Sequence, residues 1–428
     1  MQKNHSIRTL IIGLDGMPLS LAQDLSEKGI LNSLNPLLHS NKAVAIKSEL
    51  PYLSPVNWTS FFTGTGPENH GVFGFTEYSF KKQKIFFSDS SQIKAQPIFH
   101  PNRANGKFFK IINLPHTYPA FPISGQLISG FLSLDLKKAI FPPPLYPILK
   151  AQKYTLEANT ILALQNPANI FPELKKTLTS RELAFNLFWS DLAWDIFIFV
   201  LTEPDRLFHF CYDAVINQEH PLHQNCLTFL KNLDDLLTKV LNKFKELPDP
   251  KRLILVADHG FTALKTEVDL NALLTQRGFL KFKKPPLNEW DLDCIHPLTK
   301  AFALDSGRIY LYPFDPTARK LGKQSLAQQI KEILLSMRYQ GEKVISKVLE
   351  KRELYPNASF DHTPDLICVP RAGFDLKGKF DRKEIFGHFG RTGVHLESDV
   401  LFFDSFGEKP ITLRDVGKLV EKNYENKL

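Results

Sequence analysis

The sequence predicts an α/β fold: a mostly parallel central sheet flanked by helices, with an inserted α+β cap subdomain. Three observations carry this. Short continuous apolar runs, at 8–13 and 253–257, alternate with longer segments of helical spacing, the pattern of buried parallel strands covered by helices. Each run leads into a polar turn, Asp15-Gly16 in one case and Asp258-His259-Gly260 in the other, and open α/β sheets carry their ligands at the carboxyl ends of strands. The stretch 226–245 has leucines at helical spacing and reads as an amphipathic helix.

The elements follow in order. Residues 8–13 form a buried strand, and 18–28 a helix stopped by Gly29. Residues 43–49 form a second strand. Ser54 then opens a helix that runs through Trp58, Phe61 and Phe62 to Gly64. A strand over 195–201 precedes a helix carrying Asp205 and His209. A strand over 399–403 and a helix from Thr412 return to the core. Two regions break the alternation. Residues 80–180 are rich in proline, including Pro142-Pro143-Pro144, and read as an irregular excursion above the sheet. Residues 266–365 hold a hairpin-like AFALDSGRIYLY, a helix near 323–337 and a strand near Val344. The expected division is therefore a catalytic core over 1–265, a cap over 266–365, and a C-terminal core part over 366–428 that completes the site.

Composition narrows the class. The 428 residues are 43% hydrophobic and 23% charged, which excludes a disordered or collagen-like chain. No apolar run approaches the ~18 residues of a membrane helix, since LAWDIFIFVL at 192–201 is short and carries Asp195. The N-terminus lacks a signal-peptide core, and a cytoplasmic location is expected. Four cysteines at 211, 226, 294 and 368 form no C-x-x-C pair, which argues against a disulfide framework or a cysteine-zinc site. The net charge of +8 is spread over scattered lysines and arginines. Without a basic stripe interleaved with exposed aromatics, nucleic-acid binding is disfavoured. The 35 phenylalanines suit a large aromatic core.

The residues able to carry chemistry are Asp15, Ser54, Asp205, His209, Asp258, His259 and His395. Asp205 and His209 stand four apart, so on a helix they share one face. Asp258 and His259 are adjacent, which on a strand would split them; in a loop before Gly260 both can turn to one side. Carboxylate and imidazole together form a ligand set for Zn²⁺. Taken singly, each has a plainer reading: an aspartate at a strand end is often a helix cap, and D-x-x-x-H is often a surface pair. Ser54 at a helix start could also be a plain N-cap. His70, His362 and Asp365 read as structural, and His116, within LPHTYP, as either structural or a pocket wall.

The sequence resembles the alkaline phosphatase superfamily, in its type I phosphodiesterase and nucleotide pyrophosphatase branch and the bacterial and archaeal phosphohydrolase/phosphomutase group. The resemblance rests on IIGLDGM (11–17), LSPVNWTSFFTGTGPENHGVFGF (53–75), NLPHTYPAFPISGQLISGFLS (113–133), EPDRLFH (203–209), ADHGF (257–261), TPDLICVP (363–370) and TGVH (392–395). Seven segments in the family's order are far more specific than any one. The resemblance implies two divalent cations, Zn²⁺ with Mn²⁺ or Mg²⁺ as alternatives. Asp15, Ser54, Asp258 and His259 would hold the ion that activates the nucleophile, and Asp205, His209 and His395 the ion that activates water. It further implies Ser54 as nucleophile and Asn57 as donor to a phosphate oxygen. The stretch after His395, Leu396-Glu397-Ser398-Asp399, departs from the family's polar segment with glycine, and His388 in GHFG lies close by.

The implied activity is hydrolysis of phosphodiester or nucleotide pyrophosphate bonds through a phosphoseryl intermediate, on a phosphorylated small-molecule or nucleotide-like substrate. Phosphomutase or phosphomonoesterase chemistry is the alternative within the superfamily, and a non-catalytic phospholigand-binding protein the alternative outside it. A sulfatase is excluded, because Ser54-Pro55-Val56-Asn57-Trp58 lacks that group's C/S-x-P-x-R.

Overall fold

Apolar runs with no polar alternation demand burial on both faces, and the computed structural model, which describes residues 7–425, gives them that. The central sheet has eight strands: β1 (Arg8–Leu14), β2 (Ala43–Ile46), β3 (Phe109–Leu114), β4 (Gly125–Ser129), β5 (Ile140–Phe141), β6 (Ile196–Leu201), β7 (Lys251–Val256) and β8 (Val400–Asp404). Their order across the sheet is β2-β8-β7-β1-β6-β3-β4-β5. The five strands β7, β1, β6, β3 and β4 run parallel. Antiparallel β8 lies beside β7 and carries β2, which runs with the five, at one edge; antiparallel β5 closes the other. β1 is buried from Thr9 onward, and β6 throughout. The fold is thus α/β with a mostly parallel sheet, as expected.

The 80–180 region is not an irregular excursion. It supplies β3, β4 and β5 to the sheet and the 20-residue helix Ile170–Trp189. Its prolines fall mostly in connections, while β3 escapes a simple apolar reading because FKIINL contains Lys110 and Asn113. The Lys110 ammonium and the Asn113 amide nitrogen both find partners, while Asn113 Oδ1 has none among the described residues. Lys110 Nζ donates to Phe188 O (2.6 Å) and Asp191 O (2.9 Å), and Asn113 Nδ2 donates to Val200 O (2.9 Å). A buried polar group so satisfied is tolerated in a core strand.

The helices end close to where the sequence places them. The first runs over Leu19–Glu27, and the long amphipathic one over His223–Lys245, with Phe229, Leu230, Leu233, Leu237 and Leu241 on its buried face. The second strand stops at Ile46, short of the expected 49, and from there Ser48 and Glu49 turn toward the sheet's carboxyl end: Ser48 Oγ donates to Asp258 O (2.9 Å).

The chain separates into two compact units. One comprises the chain up to Gly66, Asp89–Ala263 and the part from Gly390; the other comprises Pro67–Ser88 and Leu264–Phe389. The second unit starts two residues before the 266 expected from sequence, runs past 365, and takes in an additional N-terminal segment. The strand pairings account for the extension. Leu366–Pro370 pairs with Ile345–Glu350 and Arg308–Leu311, and Phe374–Lys377 pairs with Thr266–Asp269. Within this unit a four-stranded antiparallel sheet and the helix Pro316–Ser336 share a core that includes Phe302, Tyr310, Leu326, Ile330 and Leu334. Pro67–Ser88 is tied in by Glu77, whose Oε1 accepts from Phe73 N and Gly74 N and whose Oε2 lies 3.5 Å from Arg308 Nη1. Among the described residues no helix is long and apolar enough to cross a membrane.

Candidate active site

The site sits at the carboxyl ends of three adjacent parallel strands. β1 delivers Asp15, whose backbone N–H bonds Leu201 O at the end of β6 (3.0 Å). β7 leads to Asp258 and His259. β6 leads into the helix Glu203–Ile216, which carries Asp205 and His209 on one face. His209 Nε2 lies 3.4 Å from Asp205 Oδ1, the contact expected of an i, i+4 pair.

His395 arrives by a different route. Gly260–Ala263, just beyond β7, pairs antiparallel with Gly393–Leu396, in a register that sets Phe261 opposite His395. Thr392 N donates to His209 O (2.9 Å), and Tyr212 N donates to Thr392 Oγ1 (2.8 Å), so the ribbon is fastened to the helix. His395 Nε2 thereby comes within 3.2 Å of Asp205 Oδ1 and 3.0 Å of His209 Nε2. His388 is exposed and lies in the other unit.

Five of the seven expected side chains form two adjoining groups, and His209 and Ser54 lie beside them. Asp15, Asp258 and His259 form one candidate cation site, and Asp205, His259 and His395 another, with His259 common to both. Asp258 Oδ2 is 3.4 Å from His259 Nε2, and Asp15 Oδ1 is 3.7 Å from it. The rings of His259 and His395 stack with centroids 3.5 Å apart. Donor atoms around a tetrahedral ion at ~2.0–2.1 Å stand about 3.3 Å from one another, which the Asp205, His209 and His395 separations match.

Ser54 opens the helix Ser54–Thr63 but does not cap it. The N-cap is Leu53, and the Ser54 hydroxyl bonds no backbone N–H of its own helix. Its Oγ instead lies 3.5 Å from Asp15 Oδ1 and 3.3 Å from His259 Nε2. Of the first four helix positions, Pro55 has no N–H, and the Val56 and Asn57 N–H groups both bond Leu53 O. The Val56 and Asn57 N–H groups are thus already taken at this helix start.

Asn57 does not join the cluster. It is fully buried; its Oδ1 accepts from Glu49 N (2.7 Å), and its Nδ2 donates to Leu53 O (3.2 Å) and Glu49 O (3.4 Å). Three helix positions beyond Ser54, it points to another side and braces the loop before the helix. The expected role as a phosphate-oxygen donor is thus not supported by its geometry.

Three residues of the site went unrecognised in the sequence. Trp58 Nε1 donates to Asp15 Oδ2 (2.9 Å); its i, i+4 spacing from Ser54 was the available signal. Arg206 contacts Asp205 Oδ2 and stands inside the EPDRLFH segment. Gly16 adopts φ +71°, and its N–H donates to Asp258 Oδ1 (3.1 Å). A Cβ there would stand 3.2 Å from both Asp205 Cβ and His259 Cε1, so both conformation and space favour glycine.

The electrostatics suit a cation. Burial, together with the charges of Asp258 and Asp205, raises the Asp15 carboxyl well above its ordinary range. Burial and Asp205 push Asp258 up to about 6. For Asp205 burial acts upward too, but His209 and Arg206 more than offset it and hold it well below. Burial takes His209 and His259 down to about 4 and also lowers His395, so the imidazoles are neutral with lone pairs available. His259 Nδ1 faces Gly260 O and His395 Nδ1 faces Tyr52 O, both at 3.1 Å. Such carbonyl partners hold the proton on Nδ1 and leave Nε2 to face the cluster. Asp258 Oδ2 is buried with no hydrogen-bond partner. An unsatisfied buried carboxylate oxygen among crowded carboxylates fits a divalent cation.

Comparison with known proteins places the fold. The solved structure of phosphonoacetate hydrolase from Sinorhizobium meliloti 1021, in complex with phosphonoformate, is similar over 98% of this chain and 96% of its own, with TM-score 0.63 and 16% identity. Murine ectonucleotide pyrophosphatase/phosphodiesterase 5, in an inactive form with AMP, is similar over 98% and 95%, with TM-score 0.58 and 13% identity. The human ectonucleotide pyrophosphatase/phosphodiesterase 5 gives TM-score 0.57 at 13% identity, with the same coverage. No curated protein matches by sequence. The profile of type I phosphodiesterases/nucleotide pyrophosphatases matches residues 9–394. The chain belongs to the type I phosphodiesterase/nucleotide pyrophosphatase family and is a hydrolase acting on phosphoester or phosphoanhydride bonds.

Proposed function

We propose that the protein is a two-metal phosphohydrolase that cleaves phosphodiester or nucleotide pyrophosphate bonds through a phosphoseryl intermediate on Ser54. The observation that carries the reading is the uncapped Ser54 hydroxyl, turned from its own helix toward Asp15 and His259. Asp15, Ser54, Asp258 and His259 would hold one divalent cation and Asp205, His209 and His395 the other. Bound there, such ions lower the pKa of a hydroxyl or water and offset charge developing on the phosphoryl oxygens.

The chain's own residues do the rest. Ser54 Oγ forms a bond to phosphorus while the bond from phosphorus to the leaving oxygen breaks, and the serine proton passes through solvent to that leaving oxygen. Water then bonds to phosphorus as the Oγ–phosphorus bond breaks, and one of its protons returns to Ser54 Oγ. Trp58 and Gly16 N–H hold Asp15 and Asp258 in place during both steps. His259 and His395, oriented through Nδ1, keep Nε2 toward the reacting groups.

The test is a panel of phosphomonoesters, phosphodiesters, nucleotide pyrophosphates and phosphonates, with Zn²⁺, Mn²⁺ and Mg²⁺ added in turn. Diesters or pyrophosphates should be turned over best, and Ser54→Ala should abolish turnover while metal binding largely survives, because Asp15, Asp258 and His259 remain. A Ser54→Ala protein with near-wild-type rates would remove Ser54 as nucleophile.

A further inference from the structure

Asp205 has two carboxylate oxygens, and they are used differently. Oδ1 faces His395 Nε2 at 3.2 Å and His209 Nε2 at 3.4 Å. Oδ2 is taken by Arg206 Nη1. The guanidinium is itself fixed: Nε donates to Glu157 Oε1 (3.2 Å), and its carbon lies 4.0 Å over the centre of the Phe131 ring. Glu157 is held in turn by a fully buried anchor. Arg181 donates from Nη1 to Tyr154 OH (2.6 Å) and Thr155 O (3.1 Å), and from Nη2 to Leu156 O (2.6 Å). The backbone immediately before Glu157 therefore has little freedom.

We propose that Arg206, set by Glu157, is a positioning residue that fixes the plane of the Asp205 carboxylate so that Oδ1 alone is presented to the second cation. This rests on the two-metal reading above. A carboxylate on a short side chain rotates readily about its last bond, and a planar guanidinium held from its other side by Glu157 and Phe131 restrains the oxygen it contacts where a mobile point charge would not. Glu157 offsets the charge of Arg206, so the pair supplies geometry without adding net positive charge beside a cation site. The partners come from segments about fifty residues apart in sequence, and outer partners of this kind govern metal affinity.

The test uses the full-length protein and calorimetric titration of the metal-free form with Zn²⁺ and Mn²⁺. Wild type should bind two equivalents. Arg206→Met and Glu157→Gln should weaken one equivalent about 10–100-fold, with Arg206→Lys in between. Turnover of bis(p-nitrophenyl) phosphate should fall in kcat at limiting metal and recover when metal is raised, with KM little changed; a merely structural defect would not be restored by metal. Glu157→Gln is nearly isosteric and carries the test if Arg206→Met fails to fold. Wild-type affinity for both equivalents in Arg206→Met and Glu157→Gln would overturn the proposal. So would a kcat loss that excess metal leaves uncorrected; that result would leave the hydrolase reading intact. A wild-type protein binding fewer than two equivalents would instead remove the two-metal reading itself.

Discussion

Asp15 and Asp258 follow adjacent parallel strands, β1 and β7, and are braced by nearby groups: Gly16 N–H on one and Trp58 on the other. Asp205, His209 and His395 come instead from a helical turn and a two-stranded ribbon, joined by a register and two hydrogen bonds. The first group is completely buried, whereas His209 and His395 keep side-chain exposures of 12%. The first group therefore inherits its geometry from the sheet, and the second depends on contacts made after the sheet has formed. A change in the first should be absolute, and one in the second graded.

Asp258→Asn should have the largest effect. It removes a negative charge from the group that includes Ser54, and several kcal/mol of charge stabilisation go with it. Turnover should drop more than about 10³-fold, while one metal equivalent survives in calorimetry. Loss of both equivalents would mean the two groups are one site, and the comparison would break there.

Asp205→Asn should come next, at about 10²-fold. Its expected signature is slower hydrolysis of the phosphoseryl form than formation, so covalent phosphate on Ser54 should accumulate and appear by intact mass after an acid quench. Because Asp205 Oδ1 is also 3.7 Å from His259 Nε2, some loosening of the first group is expected. Equal losses of formation and hydrolysis would remove the division of roles.

Trp58→Phe should act more mildly. It deletes the donor to Asp15 Oδ2 and keeps an aromatic ring, smaller than the indole, in the buried site, so metal affinity should weaken about 10-fold, in the first equivalent alone. An effect confined to the second equivalent would contradict the separation of the two groups.

The smallest effect concerns a buried histidine outside both groups. Burial lowers His116 to about 4, with Asp89 acting in the opposite direction. Such a group contributes stability that is present above its unfolded value near 6.5 and lost as pH falls through about 4, because the unfolded chain binds the proton more readily. The upper bound is roughly 3 kcal/mol. Melting temperatures from pH 7 to pH 4 should fall less steeply in His116→Asn than in wild type. Parallel curves would assign the acid sensitivity to the cluster histidines instead.

Much of the site was legible because it lies where local patterns end. The runs before Asp15 and Asp258 are continuous and apolar, so their polar ends stand out. Asp205 and His209 carry helical spacing in four residues. Asn57 was misread because a motif gives a residue's distance along the chain and not the direction of its side chain; three positions round a helix turned it onto Glu49 and Leu53. The strands at 109–114 and 125–129 were hidden by Lys110, Asn113 and the surrounding prolines.

The sequence by itself determined that a mostly parallel sheet forms and that aspartates stand at its carboxyl end, because burial on both faces and the 3.6-residue period are properties of adjacent residues. Only the tertiary structure decided which distant groups meet. It brought His395 to Asp205 across 190 positions, set Arg206 between Asp205 and Glu157, and drew Pro67–Ser88 and 366–389 into the second unit. These pairings depend on strand register and on side-chain direction, and both are fixed by packing against segments that no local window of sequence contains.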